Sequence, residues 1–278
     1  MRRLAERRPT PEEALEQLWT GRPPRRRLFR LPSPDPPDAP VGWLARRASG
    51  DALMGYRPTA FPAAGWLLHA MYEWLPGVDE VVAAPLGPGA TFHRTPTGVD
   101  LRTLHPGEGW VRLHWAELAR RLDVDLSPLT TAEYVSVFTF GHWAWPDSVR
   151  APGEGGLDRA QLARLVDHLA SVSPRGLGEP CGAFYCGAWW QHDPDPFAGA
   201  AFEGTLGDVL ALHDDPATPG PPTNLWPLDH EGWVAYADPD GWGTQVAGSP
   251  DLLGRLAADP ELELVRIVSR AGARQRPR

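Results

Sequence analysis

Lysine is absent from this chain of 278 residues, and isoleucine and asparagine occur once each, as Ile267 and Asn224. These three residues need AT-rich codons, so their scarcity indicates a very GC-rich, bacterial genome. Part of the excess of arginine, alanine, proline and glycine therefore reflects mutational bias. The absence of lysine also has a chemical consequence, because it excludes Schiff-base catalysis and phosphate binding by a P-loop lysine.

Long hydrophobic runs and cysteines are also lacking. No apolar run approaches the roughly 18 residues needed to cross a bilayer, and the basic N-terminus has no apolar segment of the secretory type. The two cysteines, Cys181 and Cys186, are too few for a disulfide scaffold. On one predicted strand they point to opposite faces and form neither a redox pair nor a zinc knuckle. We therefore expect a cytoplasmic protein without a membrane contact or a cofactor.

Acidic residues are concentrated in one region of the chain. Between Glu179 and Leu264, fifteen Asp and Glu against one Arg, Arg255, give a net charge of −14, whereas the whole chain carries −8. Such a region repels nucleic acid, so no nucleic-acid partner is expected, and it attracts cationic partners. An ordinary soluble acidic surface is the alternative explanation.

The first 40 residues are rich in proline and arginine. Seven prolines lie between Pro23 and Pro40, and proline cannot donate to helix or sheet ladders. Residues 1–40 are therefore predicted to be a flexible arm without regular structure, apart from a short helix at Pro11–Trp19. A boundary in the loop Asp125–Thr131 separates residues 41–125, an N-terminal α/β part, from residues 126–278, an acidic, tryptophan-rich C-terminal α/β part.

The segment Gly42–Trp74 is predicted to be mostly helical. Trp66 and Ala70 fall on one helical face, and leucines fill much of the remaining circumference, which is typical of a buried helix. His69 and Glu73 stand four residues apart, where the two side chains would contact each other. We interpret them as a buried histidine satisfied by a carboxylate rather than as metal ligands.

The clearest pattern in the chain is Thr223–Val268. Two strands, Trp233–Asp238 and Trp242–Ala247, flank a Pro-Asp-Gly turn. Ser249 is then a good N-cap for a short helix, and Leu262–Val268 returns as a strand. The predicted buried stripe of that helix consists of Leu252, Leu253 and Leu256.

Other local signals complete the pattern. Asp158 caps a strong amphipathic helix, and Gln161 stands at capping-box spacing. A short helix is predicted around Trp115–Leu122, and strands are predicted at Tyr134–Phe140, from Cys181 to Trp190 and at Ala201–Leu206. Helices and strands alternate, and short turns join several strands. The predicted fold is therefore α+β or mixed α/β, with helices layered on a mixed, largely antiparallel sheet and a C-terminal strand-turn-strand-helix-strand unit.

The C-terminal half carries a resemblance to other proteins. Five segments occur in the order GLDRAQLARLVDHL, CGAFYCGAWW, FEGTLGDVLAL, NLWPLDHEGWVAYADPDGWGTQVAGS and ADPELELVRI. They resemble uncharacterised proteins of GC-rich bacteria over roughly residues 150–268. A looser resemblance to α+β immunity proteins of the SUKH type rests on acidity, size and tryptophan content. Neither resemblance implies an activity or transfers a catalytic residue.

Histidine and aspartate lie close together in three predicted loops, at His192–Asp195, at His213–Asp215 and at Asp229–His230. Imidazole and carboxylate suit several divalent metals, but none of the three has the helical spacing of a metal motif. We therefore predict no metal site. Thirteen tryptophans are present, and two of them, Trp145 and Trp190, precede polar turn residues and are expected to be partly exposed at strand ends.

The sequence contains no motif with a defined chemistry. We expect a non-enzymatic binding protein whose acidic, tryptophan-bearing face receives a cationic partner, such as a basic protein in the manner of an immunity protein. The alternative is a hydrolase or glycan-active enzyme that uses loop carboxylates and tryptophan platforms. Paired carboxylates with raised pKa values in one pocket would favour the enzyme. The residues expected to bind are Trp145, Asp147, Trp190, His192, Asp193, Asp195, Asp229 and Asp240.

Overall fold

The computed structural model describes residues 29–30, 43–74, 92–94, 109–122, 144–146, 149–190 and 199–267. Its helices are α1 (Leu44–Arg47), α2 (Trp115–Leu122), α3 (Arg159–Val172), α4 (Val209–Asp214) and α5 (Pro250–Ala258), with 3-10 turns at Gly176–Gly178 and Leu206–Asp208. The first nine strands are β1 (Phe29–Arg30), β2 (Ala48–Asp51), β3 (Gly55–Pro58), β4 (Ala63–Leu68), β5 (Met71–Trp74), β6 (Phe92–Arg94), β7 (Trp110–Leu113), β8 (Ala144–Pro146) and β9 (Val149–Arg150). The remaining six are β10 (Pro180–Tyr185), β11 (Ala200–Thr205), β12 (Asn224–Pro227), β13 (Val234–Ala237), β14 (Gly243–Gly248) and β15 (Leu264–Arg266).

An eight-stranded sheet forms the centre of the molecule, in the order β1-β11-β10-β12-β13-β14-β4-β15. Smaller sheets pair β2 with β3, β6 with β8, and β5 with both β7 and β9. All these strand pairs are antiparallel. The predicted α+β fold with helices on a largely antiparallel sheet is confirmed.

Three helices cover one face of the central sheet. Leucines and valines of α3, α4 and α5 pack there against Leu67, Leu225 and Val246 of the strands. The other face is covered by two smaller clusters, one around Trp43 of the segment that enters α1 and one around Trp115 of α2. Residues of the sheet therefore alternate between two buried environments, as expected of strands with both faces covered.

The predicted C-terminal unit is confirmed in its main features. Strands β13 and β14 pair antiparallel, with Val234 opposite Ala247. The Ser249 hydroxyl accepts a hydrogen bond from the Leu252 backbone N–H at 3.2 Å, and Pro250 occupies the first turn of α5. The leucine stripe is fully buried. The last strand is shorter than predicted and spans only Leu264–Arg266.

The prediction of a mostly helical Gly42–Trp74 is wrong, because this segment contains only one short helix, α1, and four strands. Strand β4 lies between β14 and β15, so both of its edges are paired, and core clusters on the two sides of the sheet bury both of its faces. Trp66 joins one core cluster and Leu67 the opposite one. A strand that is apolar on both sides has no alternation, and its sequence cannot be distinguished from a buried helix by periodicity alone.

The predicted capping of α3 is half right. Asp158 Oδ1 accepts from the Gln161 backbone N–H at 2.7 Å, but the Gln161 side chain bonds elsewhere, as described below.

Phe29–Arg30 pairs with β11, so the prediction that the N-terminal arm lacks regular structure is wrong at these two residues. The predicted boundary at Asp125–Thr131, the strand at Tyr134–Phe140 and the helix at Pro11–Trp19 lie outside the described residues.

None of the helices within the described ranges combines the length and the apolar character that crossing a membrane requires.

Replacement of Leu256 by Ala is expected to destabilise the protein by about 2–5 kcal/mol, because the side chain is fully buried between α5 and the sheet. Chemical denaturation measures the change in the free energy of unfolding. The exposed neighbour Arg255, whose Nε bonds Asp251 at 2.9 Å, is the matched control, and Arg255→Ala should cost no more than about 0.5 kcal/mol. Similar losses in both variants would contradict the described packing of α5.

Candidate functional site

The chain leaves the central sheet through a buried bend, Leu68–Ala70, and continues into β5. These residues are at most 1% exposed, so each of their backbone polar groups needs a partner within the protein. The Leu68 N–H donates to Glu263 O at 2.9 Å, and the His69 N–H donates to Trp242 O at 2.8 Å. The His69 carbonyl accepts from Trp115 Nε1 at 2.8 Å. The bend is thereby tied to segments from three other parts of the chain.

Gln161, in the first turn of α3, supplies two further hydrogen-bond partners for the backbone of the bend. Its side-chain nitrogen donates to Leu68 O at 2.9 Å, and its side-chain oxygen accepts from the Ala70 N–H at 2.7 Å. This is why the side chain does not close a capping box. The amide group replaces two backbone partners that the bend cannot find in a strand ladder, and it fixes α3 against the start of β5.

The His69 imidazole lies within the same network, and its partners set its tautomer. Nδ1 is 2.7 Å from the Gly153 carbonyl, which can only accept, so Nδ1 carries the proton. Nε2 then accepts from the Thr244 hydroxyl at 3.0 Å. Burial lowers the pKa of His69 to about 4, although the Gly153 carbonyl and the Asp158 carboxylate act in the opposite direction. The histidine is therefore neutral at neutral pH.

The predicted pairing of His69 with Glu73 is wrong, because Met71–Trp74 is a strand and the helical turn that would bring side chains four residues apart together is absent. Glu73 Oε1 instead accepts from Arg121 Nη1 at 2.6 Å. The structural interpretation of His69 holds with different partners.

A shallow depression lies above Thr244, between the sheet and the N-terminal turn of α3. It holds only about 10 Å³ that solvent can occupy, barely room for one water molecule, and its lining is mostly apolar, with Leu157, Leu162 and Pro222 among the walls. Pockets that enclose drug-sized ligands occupy about 300–1,000 Å³, so this depression is far too small for that purpose. Among the described residues, no carboxylate lines it. These residues therefore do not place there the paired acids that would indicate a glycan-active enzyme.

Two carboxylates approach each other beside this depression. The Gly155 N–H donates to Gly241 O at 2.9 Å, which joins the loop before α3 to the turn between β13 and β14. Glu154 and Asp240 are the neighbours of these glycines. Burial raises the pKa of Glu154, the Asp240 carboxylate raises it further, and interaction with the Trp242 side chain acts in the opposite direction. Among the described residues, neither carboxylate forms an ion pair.

Of the predicted binding residues, Asp240 is exposed and belongs to this pair, whereas Trp190 does not reach the surface. Trp190 is 6% exposed and packs in the core beside Tyr185 and Phe202, with ring centroids 5.8 and 5.9 Å away. The chain turns away from β10 at Gly187 instead of continuing as a strand to Trp190, and this turn folds the indole inward. The expectation that Trp190 is partly exposed is wrong.

Of the other six predicted binding residues, Asp229 and Trp145 lie within the described ranges. Asp229 is exposed, but its carboxylate accepts from Arg175 Nη2 at 2.8 Å. Trp145 lies in β8 opposite His93, and its side chain is outside the description. The remaining four are outside the described residues: Asp147, His192, Asp193 and Asp195.

The acidic region is partly neutralised within the molecule. Arginines that precede Glu179 in the chain form ion pairs with carboxylates that follow it. The pairs are Arg46 and Arg47 with Glu231 at 3.7 and 2.7 Å, Arg159 with Asp214 at 2.8 Å, Arg164 with Asp259 at 3.7 Å, and Arg175 with Asp229 at 2.8 Å. A charge count along the sequence cannot detect this compensation, because the partners are distant in the chain.

Sequence reasoning also missed Glu154. From the sequence, its glycine-rich loop is predicted to be a flexible connection before α3, and no neighbouring sequence pattern links it to Asp240. The only available signal was the combination of a glycine-rich loop and an Asp-Gly turn, two places where backbones can approach closely.

Two of the three clusters of histidine and aspartate lie within the described ranges, at His213–Asp215 and at Asp229–His230. Within the described ranges, no group of three or more His, Cys, Asp or Glu side chains is arranged to hold a metal ion. His213 is fully buried and lies 3.2 Å from Asp214. His230 Nδ1 accepts from the Gly232 N–H at 3.0 Å.

Comparison with known proteins yields no relative: no family model, no curated protein and no solved structure matches the chain.

The buried His69 predicts a pH dependence of stability. Between pH 6.5 and about 4, the unfolded chain binds a proton at this residue and the folded protein does not, so the free energy of unfolding decreases as the pH falls. Above pH 6.5 the residue is neutral in both states and contributes no slope. The total loss is about 3 kcal/mol, because one pKa unit corresponds to about 1.4 kcal/mol.

Urea denaturation at several pH values between 7 and 4 tests this dependence, with His69→Gln as the comparison. The amide can donate and accept as the imidazole does but does not titrate. The wild type should lose more stability than the variant over this interval. Parallel curves for the two proteins would contradict the assignment.

Proposed function

We propose that the chain is a non-enzymatic binding protein whose acidic C-terminal surface receives a cationic partner, such as a basic protein. The observation that carries the proposal is the carboxylate pair Glu154 and Asp240. Burial and mutual repulsion make the charged form of Glu154 costly, and no described arginine neutralises it. A cationic side chain of a partner, placed between the two carboxylates, would relieve this cost.

The distribution of ion pairs supports this location. Most exposed carboxylates of the C-terminal region already have an arginine partner, as shown above, and offer little to a second cation. Glu154 and Asp240 differ because they lack such a partner among the described residues. They also lie in loops anchored by the Gly155–Gly241 hydrogen bond, so little ordering is required when a partner binds. Asp193 and Asp195 remain part of the proposed surface.

The alternative of a hydrolase has one specific feature in its favour. The Thr244 hydroxyl donates to His69, and Thr244 lines the depression, an arrangement that could activate a nucleophile. However, a general base works best with a pKa near the operating pH, and His69, with a pKa of about 4, is a poor proton acceptor. Thr244 is also only 4% exposed. These properties favour the structural role of the pair and the binding function.

The proposal is tested by affinity capture from a native bacterial lysate, followed by titration of the purified partner. We expect a basic protein, bound more weakly at about 1 M salt than at about 0.1 M, because the Debye length falls from about 10 Å to about 3 Å. The double variant Glu154→Gln, Asp240→Asn should weaken binding by about two- to thirty-fold, since exposed charge pairs contribute about 0.2–1 kcal/mol each.

Asp251→Asn is the matched control for this experiment. Asp251 is exposed and accepts from Arg255 Nε, so its replacement removes the same formal charge without touching the carboxylate pair. The control should bind as the wild type does. Capture of a neutral or acidic partner, or binding insensitive to salt and to the double variant, would refute the proposal.

A further inference from the structure

A row of two arginines and a tyrosine crosses the small sheet formed by β7, β5 and β9. Arg112 and Arg150 lie opposite Tyr72 on either side, so the three side chains share one face of this sheet. Directly opposite residues of antiparallel strands have Cβ atoms about 4.5–5.5 Å apart. The two guanidinium groups can therefore reach a single ligand placed over the row.

One edge of the Arg112 guanidinium group has no hydrogen-bond partner among the described residues. Its Nε and Nη2 atoms are buried, and no hydrogen-bond acceptor meets either of them. These two nitrogens form one edge of the planar guanidinium, and their N–H bonds point in parallel. That edge is the one that donates two hydrogen bonds to a carboxylate or a phosphate. A guanidinium remains charged under all ordinary conditions, so burial without an acceptor is costly.

The neighbouring Asp158 does not accept hydrogen bonds from this edge of Arg112. One of its carboxylate oxygens accepts from the Tyr72 hydroxyl at 2.7 Å, and the other accepts from the Gln161 N–H. No ion pair joins Arg112 or Arg150 to any carboxylate in the described part of the chain. The row therefore carries two positive charges without a direct ionic partner among the described residues.

Two tryptophans stand beside the row on the same face. Trp74 and Trp110 are opposite each other, two residues along their strands from Tyr72 and Arg112. Their rings meet edge to face, with centroids 5.6 Å apart. Gly109 has φ 85°, and a Cβ there would lie 2.4 Å from the Trp74 ring, so the glycine allows this ring position. The pair is an aromatic surface next to the two cations.

We propose that this row binds the phosphate group of a phosphorylated small molecule with a planar organic part. Arg112 holds the phosphate through its Nε–Nη2 edge, and Arg150 contributes the second positive charge. A phosphate monoester carries a charge of about −1.5 to −2 at neutral pH, which matches two guanidinium groups better than a single carboxylate does. The planar part of the ligand lies against Trp74 and Trp110, since aromatic surfaces favour such contacts.

Phenyl phosphate, inorganic phosphate and benzoate are the probes for this site. Calorimetric titration and thermal denaturation of the wild type should show saturable binding of phenyl phosphate, weaker binding of inorganic phosphate and the weakest binding of benzoate. Arg112→Met should raise the Kd for phenyl phosphate at least about tenfold, because hydrogen bonds to a charged group are lost. Arg150→Met should also weaken binding, by a smaller factor.

Stability without ligand separates a binding role from a structural one. Removal of a buried, unpaired charge is neutral or stabilising, so Arg112→Met without phosphate should unfold at the wild-type temperature or above it. Arg266→Met, at an exposed arginine of β15, is the control and should bind phenyl phosphate as the wild type does. The proposal is overturned by the absence of saturable binding, by unchanged affinity in Arg112→Met, by marked destabilisation of that variant, or by preference for benzoate.

Discussion

The need to satisfy the backbone of one buried bend organises the rest of the structure. At Leu68–Ala70 the chain passes from the central sheet into β5, where no strand ladder supplies regular partners. The first residue of α2, the first turn of α3 and the approaches to β14 and β15 supply them instead. Because an unpaired buried peptide group costs about 1–3 kcal/mol, these distant segments are fixed relative to one another. The loop before α3, which carries Glu154, is fixed by the same network through His69.

Many charged side chains of this protein form ion pairs within the chain, and the charged side chains that form none are informative. Arginines from the first part of the chain meet acids from the last part, so the strongly acidic region seen in the sequence is less acidic at the folded surface. Among the described side chains that form no ion pair, two clusters have opposite signs. Glu154 and Asp240 form a negative one, and Arg112 with Arg150 forms a positive one. Unlike a net charge, these unpaired groups indicate where a ligand or partner of defined sign gains free energy.

The sequence predicted those elements that local signals define. Helices α3 and α5 follow from their caps, Asp158 and Ser249, and the β13–β14 pair follows from its Pro-Asp-Gly turn. Strand β4 was mistaken for a helix because its two faces are buried by α5 and by the cluster around Trp115, which lie far away in the sequence. The candidate site was predicted only at Asp240. Its partner Glu154 is brought near by a hydrogen bond between two glycine-rich turns, and Trp190 is folded inward by a turn after β10. Neither contact corresponds to a periodic pattern of residues in the sequence.

The two cysteines lie on opposite faces of the central sheet. Cys181 belongs to the cluster under the helices, and Cys186 belongs to the cluster on the other face with Phe184 and Trp226. Burial raises the pKa of both thiols, to about 12 for Cys181, so neither is reactive in the closed protein. Each thiol becomes accessible to an alkylating reagent only when its own face opens. The native chain thus carries one chemical reporter of local opening for each side of its sheet.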